Sequence, residues 1–285
     1  MSSPATAAPP PSAPSCSSGR RGRVGPARCA SVSMGATWSM LAFDGWCRHG
    51  LGSRGGRMTA PLEVCFDPSV SACLHACRAC GAPVGAMAVW HEDLTLGTLS
   101  DWTAVGRCAA LQSMGIELPD DFVRAWESFC DLMARARAIR VWRGSAPYEV
   151  MGEYALCTMV SPAVRVVAVD VDRCGLIDRG ALGIEAFDDA VRSAKDVDVA
   201  GHGSLWCSLP ADGLLRTLED GVPAPCDVDA FDDVVRGAID RCGTGDLAGL
   251  GVQCSVACRE AAGGEINPEF FIERARRLSR GDARG

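Results

Sequence analysis

Four aspartates, Asp67, Asp93, Asp170 and Asp172, each stand at or just after the end of a short apolar run that reads as a β-strand. If those strands are parallel, their carboxyl ends share one edge of a sheet, and open α/β sheets bind ligands at that edge. Carboxylates gathered there have three uses. They cap helices or face water, they hold a hard cation such as Mg²⁺, or they hydrogen-bond a polar ligand without metal. The sequence leaves all three open and sets out no metal ligand set. His91 follows Trp90 at the same predicted edge, and of the four histidines it is the candidate general base. Arg143, after the third strand, is the nearest counter-charge. Ser69, Gly97 and Trp142 join Asp67, Asp93 and Arg143 as the candidate ligand-binding set. Trp90 and Trp142 serve either to stack on a ligand ring or to pack beside the sheet.

Other chemistries lack their patterns. A dinucleotide site needs glycines that let the backbone approach a pyrophosphate at a helix N-terminus. The loop here reads Asp67-Pro68-Ser69-Val70-Ser71, with a proline that donates no N–H and an acid that repels phosphate. No P-loop occurs, and no Gly-x-Ser-x-Gly elbow anchors a hydrolase triad. Cys73, Cys77 and Cys80 fall on or near the apolar stripe of a predicted helix, as small hydrophobes rather than zinc ligands. No cofactor is identified by any of these patterns.

The elements that position these residues follow from spacing. Leu62 to Phe66, Ala86 to Trp90, Ile139 to Trp142 and Val164 to Val171 read as strands. The last is almost continuously apolar, which predicts a central place. Asp67-Pro68 reads as an N-cap followed by proline at the first helical position. Val70, Cys73, Leu74 and Cys77 then recur at helical spacing. Trp102, Val105 and Ala109 start another helix. Phe122, Trp126, Phe129, Cys130 and Met133 form one stripe of a further helix, and Val150, Tyr154, Cys157 and Val160 mark the next. Strands alternating with helices predict an α/β fold with an open, mostly parallel sheet and helices on its faces. After Asp172 the spacing predicts a mainly helical C-terminal region. Its helices are expected over 209–221, 227–242 and 265–278, with a glycine-rich loop at 243–251. The expected units are therefore 1–57, 58–175 and 176–285.

Charge divides the chain. Residues 1–57 hold seven arginines and a single acid, Asp44, while the whole chain of 285 residues has a net charge of −7. The rest is therefore strongly acidic. The first segment is rich in Pro, Ser and Gly and has no apolar period, so disorder is expected there, with Met58 as the expected true start. An acidic body argues against strong nucleic-acid binding, which needs clustered Lys and Arg. No apolar run is long enough to predict a membrane span. Sixteen cysteines in a chain without a secretory apolar region are expected to be reduced thiols of a cytoplasmic protein.

The strand-end motifs, over about residues 62–171 with a fainter echo at 265–280, resemble a bacterial family called domain of unknown function 1835. In that family the first strand leads into Gly-Asp-Ser, which here reads Phe66-Asp67-Pro68-Ser69. The second leads to an Asp and then Gly-Pro, against Asp93 and Gly97-Thr98 here. The third ends in Trp-His-Gly, against Trp142-Arg143-Gly144 here. Arg143 in place of His excludes a catalytic histidine at that position. The resemblance implies an α/β domain and no established activity. The expected function is a binding or regulatory module for a small polar or nucleotide-like ligand. The alternatives are a metal-assisted hydrolase or transferase using the same acids, and a protein-interaction module without a small ligand.

Overall fold

The computed structural model describes residues 60–90, 92–174 and 184–281. Five strands form the main sheet: β1 (Leu62–Cys65), β2 (Met87–Val89), β3 (Ala138–Arg143), β4 (Arg165–Asp170) and β5 (Lys195–Asp196), in the order β2-β1-β3-β4-β5. The first four are mutually parallel, with Cys65 opposite both Val89 and Trp142, and Arg143 opposite Asp170. β5 is a two-residue antiparallel edge. The chain is thus α/β, as its alternation predicts. β4 lies between β3 and β5, an interior place as its apolar run predicts, with helices on both of its faces.

Alternation along the strands builds two cores. Leu62, Val64, Ile139, Val141 and Val166 face one side with Ala88. Helices α2 (Ala104–Ser113), α3 (Phe122–Arg135) and α4 (Pro147–Met159) cover that side. The predicted stripe of Phe122, Trp126, Phe129, Cys130 and Met133 is buried there. Cys65, Trp142 and Val169 face the other side. There they meet α1 (Pro68–Ala79) and α6 (Ile184–Arg192), which follows the single turn α5 (Val171–Cys174). In α2 the face differs from expectation. Val105 is 66% exposed, and Arg107 is buried instead, for a reason that lies in the loop after β2.

The C-terminal region contains α7 (Val199–Ser208), α8 (Asp232–Cys242), α9 (Leu247–Cys258) and α10 (Pro268–Arg280). Two expectations fail here. Residues 209–221 are not a helix, because β6 (Leu215–Glu219) and β7 (Val222–Cys226) form an antiparallel hairpin. Its turn is Asp220-Gly221, both with positive φ (52° and 78°), the conformation that a two-residue hairpin turn of this composition demands. The glycine-rich stretch is also not all loop. Asp246 caps α9 by accepting from the Gly249 N–H, and the helix absorbs Gly249 and Gly251 because Ile272 and the Pro268 carbonyl pack where a Cβ on Gly251 would stand.

The described cysteines are free thiols. Among the described residues no helix is long and apolar enough to cross a membrane. Residues 1–57, with Met58, lie outside the described residues.

Candidate functional site at the carboxyl edge

Strand order fixes where a ligand would sit. β1 connects through α1 to β2 on one side, whereas β3 connects through α4 to β4 on the other. Neighbouring strands whose connections diverge leave a crevice at their carboxyl ends. Asp67 follows β1 into that crevice, and Gly144 and Ser145 follow β3 into it.

Asp67 is the N-cap that the sequence predicts. Its Oδ1 accepts the Ser69 N–H at 2.6 Å. Its other oxygen takes the Tyr148 hydroxyl at 3.3 Å. Tyr148 and Glu149 lie in the first turn of α4. Glu149 Oε2 accepts the Gly144 N–H at 3.1 Å, and Asp172, from the turn after β4, accepts the Ser145 N–H at 2.7 Å. Gly144 is needed here. A Cβ on it would lie 2.8 Å from both the Glu149 Oε2 and the Asp172 Oδ1. The two carboxylates are therefore separated by no more than twice that distance.

Glu149 is only 4% exposed, and its Oε1 is buried without a hydrogen-bond partner. Burial raises its carboxyl most. The Gly144 N–H and, more weakly, the Ala146 backbone work against this, while Asp67 and Asp172 add to it, so the result is pushed up to about 7. A helix N-terminus ordinarily favours the ionised acid; here desolvation wins. Burial, Glu149 and Asp67 together push the Tyr148 phenol up as well. Among the described residues, no arginine, lysine or histidine forms an ion pair with Asp67, Glu149 or Asp172.

Asp93 reaches the same rim and contributes to the field at Tyr148, but it is spoken for. Its Oδ1 accepts both the Thr95 N–H at 2.9 Å and the Thr95 hydroxyl at 2.6 Å. Burial raises its carboxyl, and Thr95, Asn267 and Arg216 counter that rise. The preceding acid, Glu92, is buried against Arg107, the Trp126 indole N–H at 2.6 Å and the Trp90 indole N–H at 3.4 Å. Arg107 also donates to the carbonyls of Thr98 and Leu96, and Arg216 to those of Leu94, Gly213 and Gly97. Arg107 thus ties the loop after β2 to α2, and Arg216 ties the same loop to the β6–β7 hairpin. This is why α2 turns Arg107 inward.

The remaining expected site residues divide. Gly97, with φ of 76°, lies in the stapled loop, with Arg107 Nη1 3.3 Å from where its Cβ would be. Trp142 is fully buried away from the crevice. Its indole N–H donates to Glu63 Oε2 at 2.7 Å, and its ring stacks on Phe187 at 5.7 Å. Trp90 is also core, 4.7 Å from the Phe129 ring. Neither ring is available to a ligand, because each indole is needed to satisfy a buried glutamate. Arg143 turns away from Asp67 and donates to Glu153 Oε2 at 2.7 Å. Asp170 pairs with Arg173 at 3.1 Å. Ser69 is exposed beside Asp67. His91 lies outside the described residues.

Sequence reasoning missed Tyr148 and Glu149. An acid in the first helical turn is an ordinary dipole signal. The sign that set this one apart was Gly144 ahead of it, a strand-ending glycine where two carboxylates crowd the backbone. Among the described residues no three of His, Cys, Asp and Glu are grouped to hold a metal ion. Comparisons with family models, with curated proteins and with solved structures gave no match.

Proposed function

We propose that this protein is a binding or regulatory module for a small polar ligand seated between the carboxyl ends of β1 and β3. The observation that carries the reading is the buried Oε1 of Glu149, flanked by Asp67 and Asp172, with no hydrogen-bond partner and no counter-cation among the described residues. A buried polar atom without a partner costs about 1–3 kcal/mol, and a ligand donor offsets that cost. The acidic field favours hydroxyl, amine or nucleoside groups over phosphates, which narrows the nucleotide-like option to its uncharged part. The resemblance to family 1835 is proposed on the three strand-end motifs and adds no activity. A cytoplasmic setting is proposed from the free thiols.

One observation favours an enzyme as the second reading. A carboxyl that titrates near 7 is suited to general acid–base work. In that reading Glu149 passes a proton to or from the bound ligand, and a hydrolase or transferase results. Binding comes first in both. Thermal shifts with ethanolamine, glycerol, adenosine and magnesium chloride test it. The expected result is stabilisation by an amine or hydroxyl probe that is lost in Glu149→Ala. No stabilisation by any probe, or stabilisation unchanged in that variant, overturns the proposal.

A further inference from the structure

One helical turn down α4 from Glu149, a second acid holds an arginine and a histidine at once. Arg143 Nε donates to Glu153 Oε2 at 2.7 Å, and His202 Nδ1 stands 3.2 Å from Glu153 Oε1, a charge contact rather than a well-aligned hydrogen bond. Burial would raise the Glu153 carboxyl, but His202 and Arg143 outweigh it and hold it below the usual range. The Glu153 side chain is 2% exposed, whereas those of Arg143 and His202 are 29% and 27% exposed. The inner nitrogens are therefore committed to the buried acid. The outer ones, Arg143 Nη2 and His202 Nε2, have no protein partner among the described residues and are not among its buried orphaned atoms, so they reach solvent.

Both donors are held in place. The imidazole lies flat on Tyr154, 4.1 Å between ring centres and 8° between planes. The guanidinium is fixed by Glu153 and by the Gly144 carbonyl at 3.3 Å. Two donors anchored on the two oxygens of one carboxylate are held before a ligand arrives, which lowers the ordering cost of binding. A histidine with a carboxylate behind Nδ1 presents Nε2 outward, and it carries a second positive charge when protonated. Four other titratable groups are near. Tyr154 and Cys157 lie on α4, Asp170 on β4, and Asp198 is the N-cap of α7. Asp170 pairs with Arg173, and Asp198 accepts the Gly201 N–H at 2.9 Å. Glu153 thus supplies one negative charge against the Arg143 guanidinium, and a protonated His202 leaves the group with a net positive charge.

We propose that Arg143 Nη2 and His202 Nε2 form a binding site for a small oxyanion, a phosphate or carboxylate group, between α4 and α7. Arg143 and His202 touch the anion, and Glu153 positions them. The site is distinct from the β1/β3 crevice and stands whether or not Glu149 binds a ligand. Anion binding favours the imidazolium, so anion and proton binding at this site reinforce each other and affinity rises as pH falls.

The test is an NMR titration of the full chain, reading the His202 ring Cε1–H signal. Sulfate, which keeps one charge state across the range, stands for phosphate, and acetate stands for carboxylates. Each is added at constant ionic strength at about pH 6 and about pH 8. Saturable binding by either, tighter at the lower pH, is expected, and the better probe identifies the oxyanion class. His202→Gln, on a half-buried surface position, should weaken binding about tenfold and remove its pH dependence. Arg143→Lys keeps the charge on Glu153 but loses the outer nitrogen, and should also weaken binding. No saturation with either anion, or binding unchanged in His202→Gln, overturns the proposal.

Discussion

Glu92 and Glu149 are both acids at the carboxyl edge of the same sheet, 3% and 4% exposed. Glu92 meets one guanidinium and two indole N–H groups. Glu149 accepts the Gly144 N–H on one oxygen and also feels the Ala146 backbone, but its Oε1 has no hydrogen-bond partner among the described residues. Isolated buried charge is costly by several kcal/mol, and a protein meets that cost by pairing the group or by neutralising it. The loop after β2 pairs its acid and becomes scaffold. The β1/β3 crevice leaves its acid half satisfied and surrounds it with others, so that Glu149 tends to keep its proton. An acid is informative about function when its environment leaves it unsatisfied, and position at the edge alone does not decide this.

The largest expected effect breaks the paired side. Arg107→Ala leaves Glu92 buried without its counter-charge and should cost about 3–5 kcal/mol in urea unfolding. A cost under about 1 kcal/mol would mean that Glu92 does not depend on Arg107 and that the two regions do not differ. Trp126→Phe keeps the ring and removes only the N–H to Glu92. A loss of about 1–3 kcal/mol is expected. An unchanged midpoint would leave Glu92 adequately held by Arg107 alone.

The unpaired side responds with the opposite sign. The Glu149 midpoint of about 7 in the folded chain lies above its ordinary value of 4.5. Between those two values the folded chain holds a proton that the unfolded chain has lost, so this group lowers stability as pH rises through that window. Glu149→Gln removes the penalty. It should stabilise the protein by about 1–3 kcal/mol at about pH 8 and by under about 0.5 kcal/mol at about pH 4. A pH-independent effect, or destabilisation at pH 8, contradicts the account. The smallest effect belongs to Asp67→Asn. Asparagine caps a helix as well as aspartate does, so stability should change by less than about 0.5 kcal/mol. The lost negative charge should still lower the Glu149 midpoint by up to about one unit.

Much of this fold was legible from spacing, because apolar period and caps act locally. Asp67-Pro68 and the stripe from Phe122 to Met133 are such cases, and both lie where the pattern predicts. What was hidden depends on partners distant in sequence. Arg107 is buried because Glu92 lies 15 residues before it, so the apolar spacing around Val105 pointed to the wrong face. Trp142 followed the edge motif, yet its indole answers to Glu63, 79 residues earlier. The Asp220-Gly221 turn was a local signal and readable; the helical reading of 209–221 passed over it. At the site, Asp67 and the rim were foreseeable from strand ends. Glu149 was harder to read: Gly144 ahead of it was the one local sign, and the missing partner itself has no sequence pattern.

The central claim concerns the protonation of one carboxyl, so the direct measurement is the NMR titration of the Glu149 side-chain carboxyl carbon in the full chain. The account predicts a midpoint of about 7, moving down in Asp67→Asn. A midpoint near the ordinary glutamate value of about 4.3 would contradict it, since Glu149 would then be solvated or paired and the crevice would lack the unsatisfied group on which the proposed site depends.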